Sequence, residues 1–205
     1  MKKIFITGIS TEVGKTLVAA IVTEALEADY WKPIQAGELD YSDTHKVIEM
    51  ISNKKSIFHK NSYALKTPMS PHAAAEIDGI EIDLEKIIAP ITQNNLVIEG
   101  AGGLLVPLND TDTILDLIQP EYKVIVVSRH YLGSINHTLL TIKLLQEKGF
   151  EVSVIFSGNE NITSENIIQK MTEASVIGRI DEEKNIDNHT ILKYANLFRE
   201  NLLKL

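Results

Sequence analysis

An apolar, β-branched stretch, Lys3–Thr7, runs straight into Gly8-Ile9-Ser10-Thr11-Glu12-Val13-Gly14-Lys15-Thr16. A segment follows in which Leu17, Ile21 and Ala25 recur at helical spacing. A strand, a glycine-bounded loop ending in Lys-Thr and a helix form the context in which a chain cradles phosphate. The glycines let the backbone curl so that its N–H groups point inward, and the helix N-terminus adds the positive end of its dipole. In such a loop Lys15 would bridge the β- and γ-phosphates of a nucleotide, and the Thr16 hydroxyl would ligate Mg²⁺. The spacing is unusual, because five residues rather than four separate Gly8 from Gly14. The bland alternative is a glycine-rich turn that happens to contain Lys-Thr, and the two flanks argue against it.

The rest of the chain repeats the alternation. Apolar runs at Tyr30–Ile34, Leu96–Ile98, Lys123–Ser128, Val152–Phe156 and, more weakly, Ser175–Ile180 are apolar almost throughout. Strands buried on both faces of a parallel sheet read this way. Between them, helical spacing relates Leu84, Ile87, Ile88 and Ile91 behind a cap at Asp83. It also relates Ile135, Leu139, Ile142 and Leu145 between a cap at Ser134 and a stop at Gly149. Ile167, Ile168 and Met171 predict a further helix, and Ile191, Ala195, Phe198 and Leu202 a terminal one. The pattern predicts one α/β domain over 1–205, a doubly wound, mostly parallel sheet flanked by helices with its ligand site at the carboxyl ends of the strands. Residues 35–82 show no clear period, and Gly158–Asn166 and Asp181–His189 read as solvated loops or helix starts.

Composition narrows the chemistry. With 20 Lys+Arg against 28 Asp+Glu, the net charge of −8 argues against nucleic acid or an anionic membrane as partner. A small anion remains open to it, since a few local cations suffice. The absence of cysteine excludes disulfides, thiolate nucleophiles and Cys-type zinc sites. No stretch approaches the ~20 apolar residues of a membrane helix, and the N-terminal apolar run is too short for a signal peptide. These features predict a soluble, cytoplasmic protein. The histidines show no metal-ligand spacing, and His59 and His189 read as surface residues.

Two carboxylates and a second lysine would complete a nucleotide site. Glu99 ends the apolar run Leu96–Ile98 and precedes a flexible Gly100-Ala101-Gly102-Gly103 turn. That position is the sheet edge where a metal carboxylate belongs. Ser42-Asp43 opens a short helical stretch, and a cap on that helix, supplied by one of the two, is as good a reading as a metal role. Lys32, in Trp31-Lys32-Pro33-Ile34-Gln35-Ala36-Gly37, is either a solvated edge residue or a cation stabilising phosphoryl transfer.

Taken together, six blocks resemble the dethiobiotin synthetase family in order and spacing. They are Gly8–Thr16, Trp31–Gly37, Ser42-Asp43, Ser70–His72, Ile98–Pro107 and Leu132–Thr141. The five-residue loop spacing is itself that family's variant. The resemblance implies an ATP-dependent cyclo-ligase of biotin synthesis that uses Mg²⁺ and closes a ureido ring on 7,8-diaminononanoate with CO₂. It implies that Glu12, Val13, Gly14, Lys15, Thr16 and Leu17 hold ATP and that Thr16, Asp43 and Glu99 serve Mg²⁺. Lys15 and Lys32 would stabilise carbamate and transferring phosphate, and Thr11 and the position of Ala36 would touch the substrate. Glu99, Gly100, Ala101 and Gly102 would line phosphates and substrate. The substrate carboxylate would reach Gly133, Ser134 and Asn136 of a partner subunit, making the active unit a homodimer.

Three positions depart from the family pattern. Ala36 stands where a Ser or Thr is usual, and Ser157, with Asn159 nearby, stands where an Asn often reads the base. Gly178-Arg179-Ile180-Asp181 lacks the family's proline. Other readings are a switch-type ATPase of partition or assembly, and a regulatory domain that binds nucleotide without catalysis. The first would carry a second lysine at the start of its loop, where this chain has Ile9 and Ser10. A guanine signature is missing too, because Asn53-Lys54-Lys55-Ser56 has no acid.

Overall fold

The computed structural model describes residues 1–205. Strands β1 (Lys3–Gly8), β2 (Asp29–Trp31), β3 (Ile34–Ala36), β4 (Phe58–His59), β5 (Tyr63–Leu65), β6 (Leu96–Gly103), β7 (Lys123–Arg129), β8 (Val152–Ser157) and β9 (Ser175–Ile180) alternate with six helices. These are α1 (Lys15–Leu26), α2 (Asp43–Met50), α3 (Pro71–Asp78), α4 (Ser134–Glu147), α5 (Ile162–Thr172) and α6 (Asn188–Lys204). Seven strands form one parallel sheet in the order β4-β2-β6-β1-β7-β8-β9, while β3 and β5 pair separately. The chain leaves β1 toward β2 on one side and proceeds from β7 through β8 to β9 on the other. Right-handed crossovers therefore place α1 and α4–α5 on opposite faces. Helices α1 and α6 pack together, as do α4 and α5. The order reverses beside β1, so the crevice for a ligand opens above its carboxyl end.

The central strands follow the sequence because both of their faces are buried. Ile4, Phe5 and Ile6 of β1, Val124–Val127 of β7 and Val154–Phe156 of β8 are all sealed from solvent. Ile191, Ala195, Phe198 and Leu202 form the buried stripe of α6 as their spacing predicts.

Elsewhere the structure corrects the sequence. Tyr30–Ile34 is not one strand. Pro33 brings no N–H to a ladder, and the chain breaks there between β2 in the main sheet and β3 in the small one. The glycines after Glu99 are not a flexible turn either. They extend β6 to Gly103, and Gly100 makes room for the Phe5 ring, a Cβ there lying 3.1 Å from Phe5 Cε1. No α-helix covers 84–91. Only a single 3-10 turn forms at Leu84–Lys86, with Asp83 accepting from the Glu85 N–H, and Ile88 and Ile91 stay exposed. Pro90 is the cause, since its ring clashes with the carbonyl four residues earlier and biases Ala89 to extended backbone.

In α4 the cap is Gly133 at φ 100°, and Ser134 is the first helical residue. The buried stripe runs through Ser134, Thr138, Ile142 and Leu145, one step round from the apolar spacing. The Thr138 hydroxyl, 2.8 Å from that of Ser128 on β7, makes this polar face buriable. Of the α5 residues Ile168 is buried, while Ile167 and Met171 are exposed. The periodless 35–82 segment holds β3, α2, β4, β5 and α3, the last started by Pro71 and stopped by Gly79 at φ 68°. His59 is not a surface residue. It sits half-buried with Nε2 3.3 Å from Asp29.

Asp29 anchors the start of β2. Its buried carboxylate accepts from the Ile57 N–H (3.0 Å), the Asn94 amide (3.2 Å) and the Thr92 hydroxyl (2.6 Å). Burial opposes its charge, but these donors and His59 outweigh burial and hold its pKa below the ordinary 3.8. A carboxylate depressed in the folded state contributes its full stability above the unfolded pKa and loses it as pH falls through the folded one. Asp29→Asn is therefore expected to be less stable at neutral pH and to lose stability less steeply from about pH 5 downward. Urea midpoints measured across that range check this, and parallel acid limbs in variant and wild type would contradict it.

Candidate nucleotide site

Above β1 the chain turns through a loop that only these residues can close. A Cβ on Gly8 would lie 2.6 Å from Val13 Cγ2 and 2.9 Å from the Ser10 carbonyl oxygen. Glu12 at φ 55° and Gly14 at φ 95° take left-handed backbone, which curls the loop and aims the first turn of α1 back across it. Lys15 folds back and donates to the Ser10 carbonyl at 2.9 Å. Burial lowers its pKa to about 8. The charge on Lys32 adds to this, while Glu99 and Asp43 oppose it.

Next to the loop lies a buried ionic cluster. The register that pairs Trp31 with Ile98 puts Lys32, just past the end of β2, level with Glu99 within β6. Glu99 Oε1 accepts from Lys32 Nζ at 3.0 Å and from the Thr16 hydroxyl at 2.9 Å. Its Oε2 accepts from the Tyr30 hydroxyl at 2.7 Å. Lys32 Nζ also binds Asp43. Burial works against the Lys32 charge, but Glu99 and Asp43 prevail and raise its pKa above the ordinary lysine value. Lys32 is thus a buried ammonium and not a solvated edge residue.

The cap that the sequence assigns to one of Ser42 and Asp43 falls to Ser42. It is the N-cap of α2, with its N–H donating to His45 Nδ1 at 3.1 Å. Asp43 is left free to face Lys32, and Lys46 donates to its second oxygen at 3.2 Å. Burial opposes the Asp43 charge, and Lys32 and Lys46 outweigh it, keeping its pKa below the usual carboxylate range.

A cavity of about 990 Å³ opens over loop and cluster. Thr11, Glu12, Val13, Gly14, Lys15, Thr16, Leu17, Lys32, Ala36, Asp43, Glu99, Ala101, Gly102 and Ser157 line it. Gly100 does not, being packed under the Phe5 ring. Asn159 is exposed outside the cavity, beyond the turn at Gly158. Gly133, Ser134 and Asn136 lie at the start of α4, also outside it. The 181–183 segment is not merely a solvated loop: Asp181, Glu182 and Glu183 form the far wall, with Arg129 between them and the phosphate loop. Sequence reading also passed over Gln35 and Tyr30. Tyr30 carries no signal, since a tyrosine in an apolar strand looks like core.

Thr16, Glu99 and Asp43 offer hard oxygen donors on one side of the loop, a set suited to Mg²⁺, which takes one or two carboxylates and keeps water and phosphate oxygens. No three His, Cys, Asp or Glu side chains gather into a cage. No helix is long and apolar enough to cross a membrane.

The fold and the loop define a P-loop NTPase. Solved structures of low identity share the fold. A MinC:MinD cell division complex of Aquifex aeolicus matches with a TM-score of 0.61 at 16% identity, over 100% of this chain and 97% of that one. A plasmid partition protein of Borrelia burgdorferi bound to AMPPNP matches with a TM-score of 0.61 at 14% identity, over 100% and 99%. A family model described as an AAA domain matches residues 2–190. A protein of Christiangramia forsetii named ATP-dependent dethiobiotin synthetase BioD is 58% identical over 205 residues, 100% of this chain and 99% of its own. Its namesake in Cytophaga hutchinsonii is 51% identical over 198 residues, 95% and 96% of the two chains. The chain belongs to the dethiobiotin synthetase family.

Tyr30→Phe would leave Glu99 Oε2 without its donor in a buried site. The expected loss of stability is about 1–3 kcal/mol, read from chemical denaturation. An unchanged midpoint would mean that another group takes over the bond.

Proposed function

We propose that the protein forms dethiobiotin from 7,8-diaminononanoate, CO₂ and ATP in the cytoplasm, with Mg²⁺ as the required metal. The observation that carries this reading is the Lys32–Glu99–Asp43 cluster beside the Lys15 loop. It joins two ammonium groups, a hydroxyl and two carboxylates in one cavity.

The chemistry asks for no protein nucleophile. One amine of the substrate takes up CO₂ to give a carbamate and a proton. A carbamate oxygen attacks the γ-phosphorus of ATP as the bond to ADP breaks, giving a carbamic–phosphoric anhydride. The second amine then attacks the carbamoyl carbon, phosphate leaves, and the ureido ring is closed. Every reacting group belongs to a substrate, so the protein supplies position and charge.

In this reading the loop N–H groups and the start of α1 hold the phosphates, and Lys15 neutralises the charge that gathers as the phosphoryl group moves. Lys32, kept protonated by its two carboxylates, faces the carbamate. Thr11 and the region of Ala36 contact the diamine, where Ala36 supplies no hydroxyl. Thr16, Glu99 and Asp43 would hold Mg²⁺, which supplies charge neutralisation at the phosphate oxygens. Ser157 at the other end would touch the base.

The unit we propose is a homodimer. Gly133, Ser134 and Asn136 lie outside the lining of this chain's own cavity, and in this reading they serve a substrate carboxylate across an interface. Leu132, just before the start of α4, is fully exposed, and Leu140 on that helix is exposed as well. The N–H groups at the α4 start suit a carboxylate.

Incubation with diaminononanoate, bicarbonate, Mg²⁺ and ATP should yield the ureido product by mass. ATP hydrolysis without that product would overturn the reading. Lys32→Gln should retain nucleotide binding within a few-fold while lowering turnover by about 10²-fold or more. Unchanged turnover would remove Lys32 from the mechanism.

A further inference from the structure

Behind the far wall of the cavity lies a polar network that the reaction does not use. Arg179, on β9, donates from Nη1 to both oxygens of Glu165 at 3.0 and 3.2 Å. Its Nη2 donates to Glu160 at 2.8 Å and its Nε to Asp181 at 3.0 Å. His130, just past β7, places Nε2 3.0 Å from Glu165 and stacks on Phe156 of β8 at 5.5 Å between ring centres. His130 Nδ1 is buried without a partner. An N–H there would be left unmet, so the ring proton belongs on Nε2, donated to Glu165. The side chains of His130, Glu165 and Arg179 are only 10%, 17% and 22% exposed. Burial disfavours the Glu165 charge, but the bonds from His130 and Arg179 dominate and lower its pKa.

The backbone carries the same connection into the cavity. The His130 N–H donates to the Ser157 carbonyl at 3.0 Å, and the Gly158 N–H to the Ile180 carbonyl at 2.9 Å. Ser157, Gly158, Ile180 and Asp181 are the residues that wall this end. At the position where the family has proline, Asp181 keeps an N–H and donates it to the Tyr194 hydroxyl at 3.1 Å. The strand order fixes what this wall faces. Lys32, Asp43 and Glu99 lie on the β2–β6 side of the phosphate loop, and Ser157 lies on the β8 side, its Oγ 3.4 Å from where a Cβ on Gly14 would sit. With the phosphates at the loop, the sugar and base extend toward β8 and β9.

We propose that His130, Glu165 and Arg179 are positioning residues for the nucleobase. They lock the ends of β7, β8 and β9 and the start of α5 into one wall. The base is read there by fixed backbone groups and the short Ser157 side chain, in place of a long amide. A rigid wall presents those groups without the ordering cost that loose loops would incur. The proposal rests on the nucleotide reading of the cavity but not on the identity of the second substrate.

The test uses the full-length chain and compares AMPPNP, its guanine counterpart and inorganic tripolyphosphate by titration calorimetry. Arg179→Ala and Glu165→Gln should weaken AMPPNP about tenfold and narrow its margin over the guanine analogue, with tripolyphosphate unchanged. Arg179→Lys should recover part of the loss, since an ammonium keeps the charge without the fork. In turnover assays the KM for ATP should rise by the same factor while kcat and the KM for the diamine hold. Equal weakening of AMPPNP and tripolyphosphate, or of neither, would overturn the proposal, as would wild-type protein that binds tripolyphosphate as tightly as AMPPNP. Should Arg179→Ala fail to fold, Glu165→Gln keeps the shape of the site and carries the comparison alone. Wild-type protein that binds AMPPNP yet forms no ureido product would refute the proposed reaction and leave this inference to the binding data.

Discussion

The contact between Lys32 and Glu99 sets the terms for the rest of the molecule. Glu99 is sealed at 1% exposure and Lys32 at 6%. Breaking one side of such a buried pair would cost about 3–5 kcal/mol, because the remaining charge has no water to turn to. The pair can exist only if β2 lies beside β6 in the observed register and α1 begins where Thr16 reaches the same carboxylate. Tyr30 must also point inward from β2. The cluster draws on residues 16, 30, 32, 43 and 99, segments that meet only once the sheet has assembled. Replacing it by apolar side chains would be no less stable on general grounds. Its retention makes sense as preorganised charge at the mouth of the phosphate loop.

What the sequence displays and what it hides follow from the same physics. Strands β1, β7 and β8 and helices α1 and α6 are legible because apolar burial on both faces, or on one stripe, leaves a periodic trace. The phosphate loop is legible because its glycines meet a backbone demand that no other residue satisfies. Lys32, Asp43 and Glu99 are visible as charges in odd places, but their partnership depends on register, which periodicity does not encode. The failures have local causes. Pro90 cancels a helix whose isoleucines are well spaced, and Pro33 splits a strand. The buried face of α4 is built from Ser134 and Thr138, polar residues that an apolar stripe overlooks. Tyr30 and the far wall are hidden for opposite reasons: one resembles core, and the other, acidic and loop-like, resembles surface.

That acidic wall bears on how a protein of net charge −8 can hold a triphosphate. Asp181, Glu182 and Glu183 line the same cavity as Lys15 and Lys32. Each acid has a cation beside it: Arg179 at 3.0 Å from Asp181, Arg129 at 3.5 Å from Glu182 and Lys193 at 2.7 Å from Glu183. These pairs are partly exposed, so their bond energies are small, but each brings a positive charge beside a carboxylate of the wall. At the opposite end the cations are buried, where their field is weakly screened, and the α1 dipole adds to it. The cavity therefore carries its buried ammonium groups at the β2–β6 end, where Glu99 and Asp43 balance Lys32 and Lys15 faces the loop, and paired acids at the β8–β9 end. Lys15, the loop N–H groups and the start of α1 favour the polyanionic end of a ligand at the loop, and the paired acids disfavour it at the far wall. Net charge, summed over the whole surface, carries none of this information; the placement of two buried lysines does.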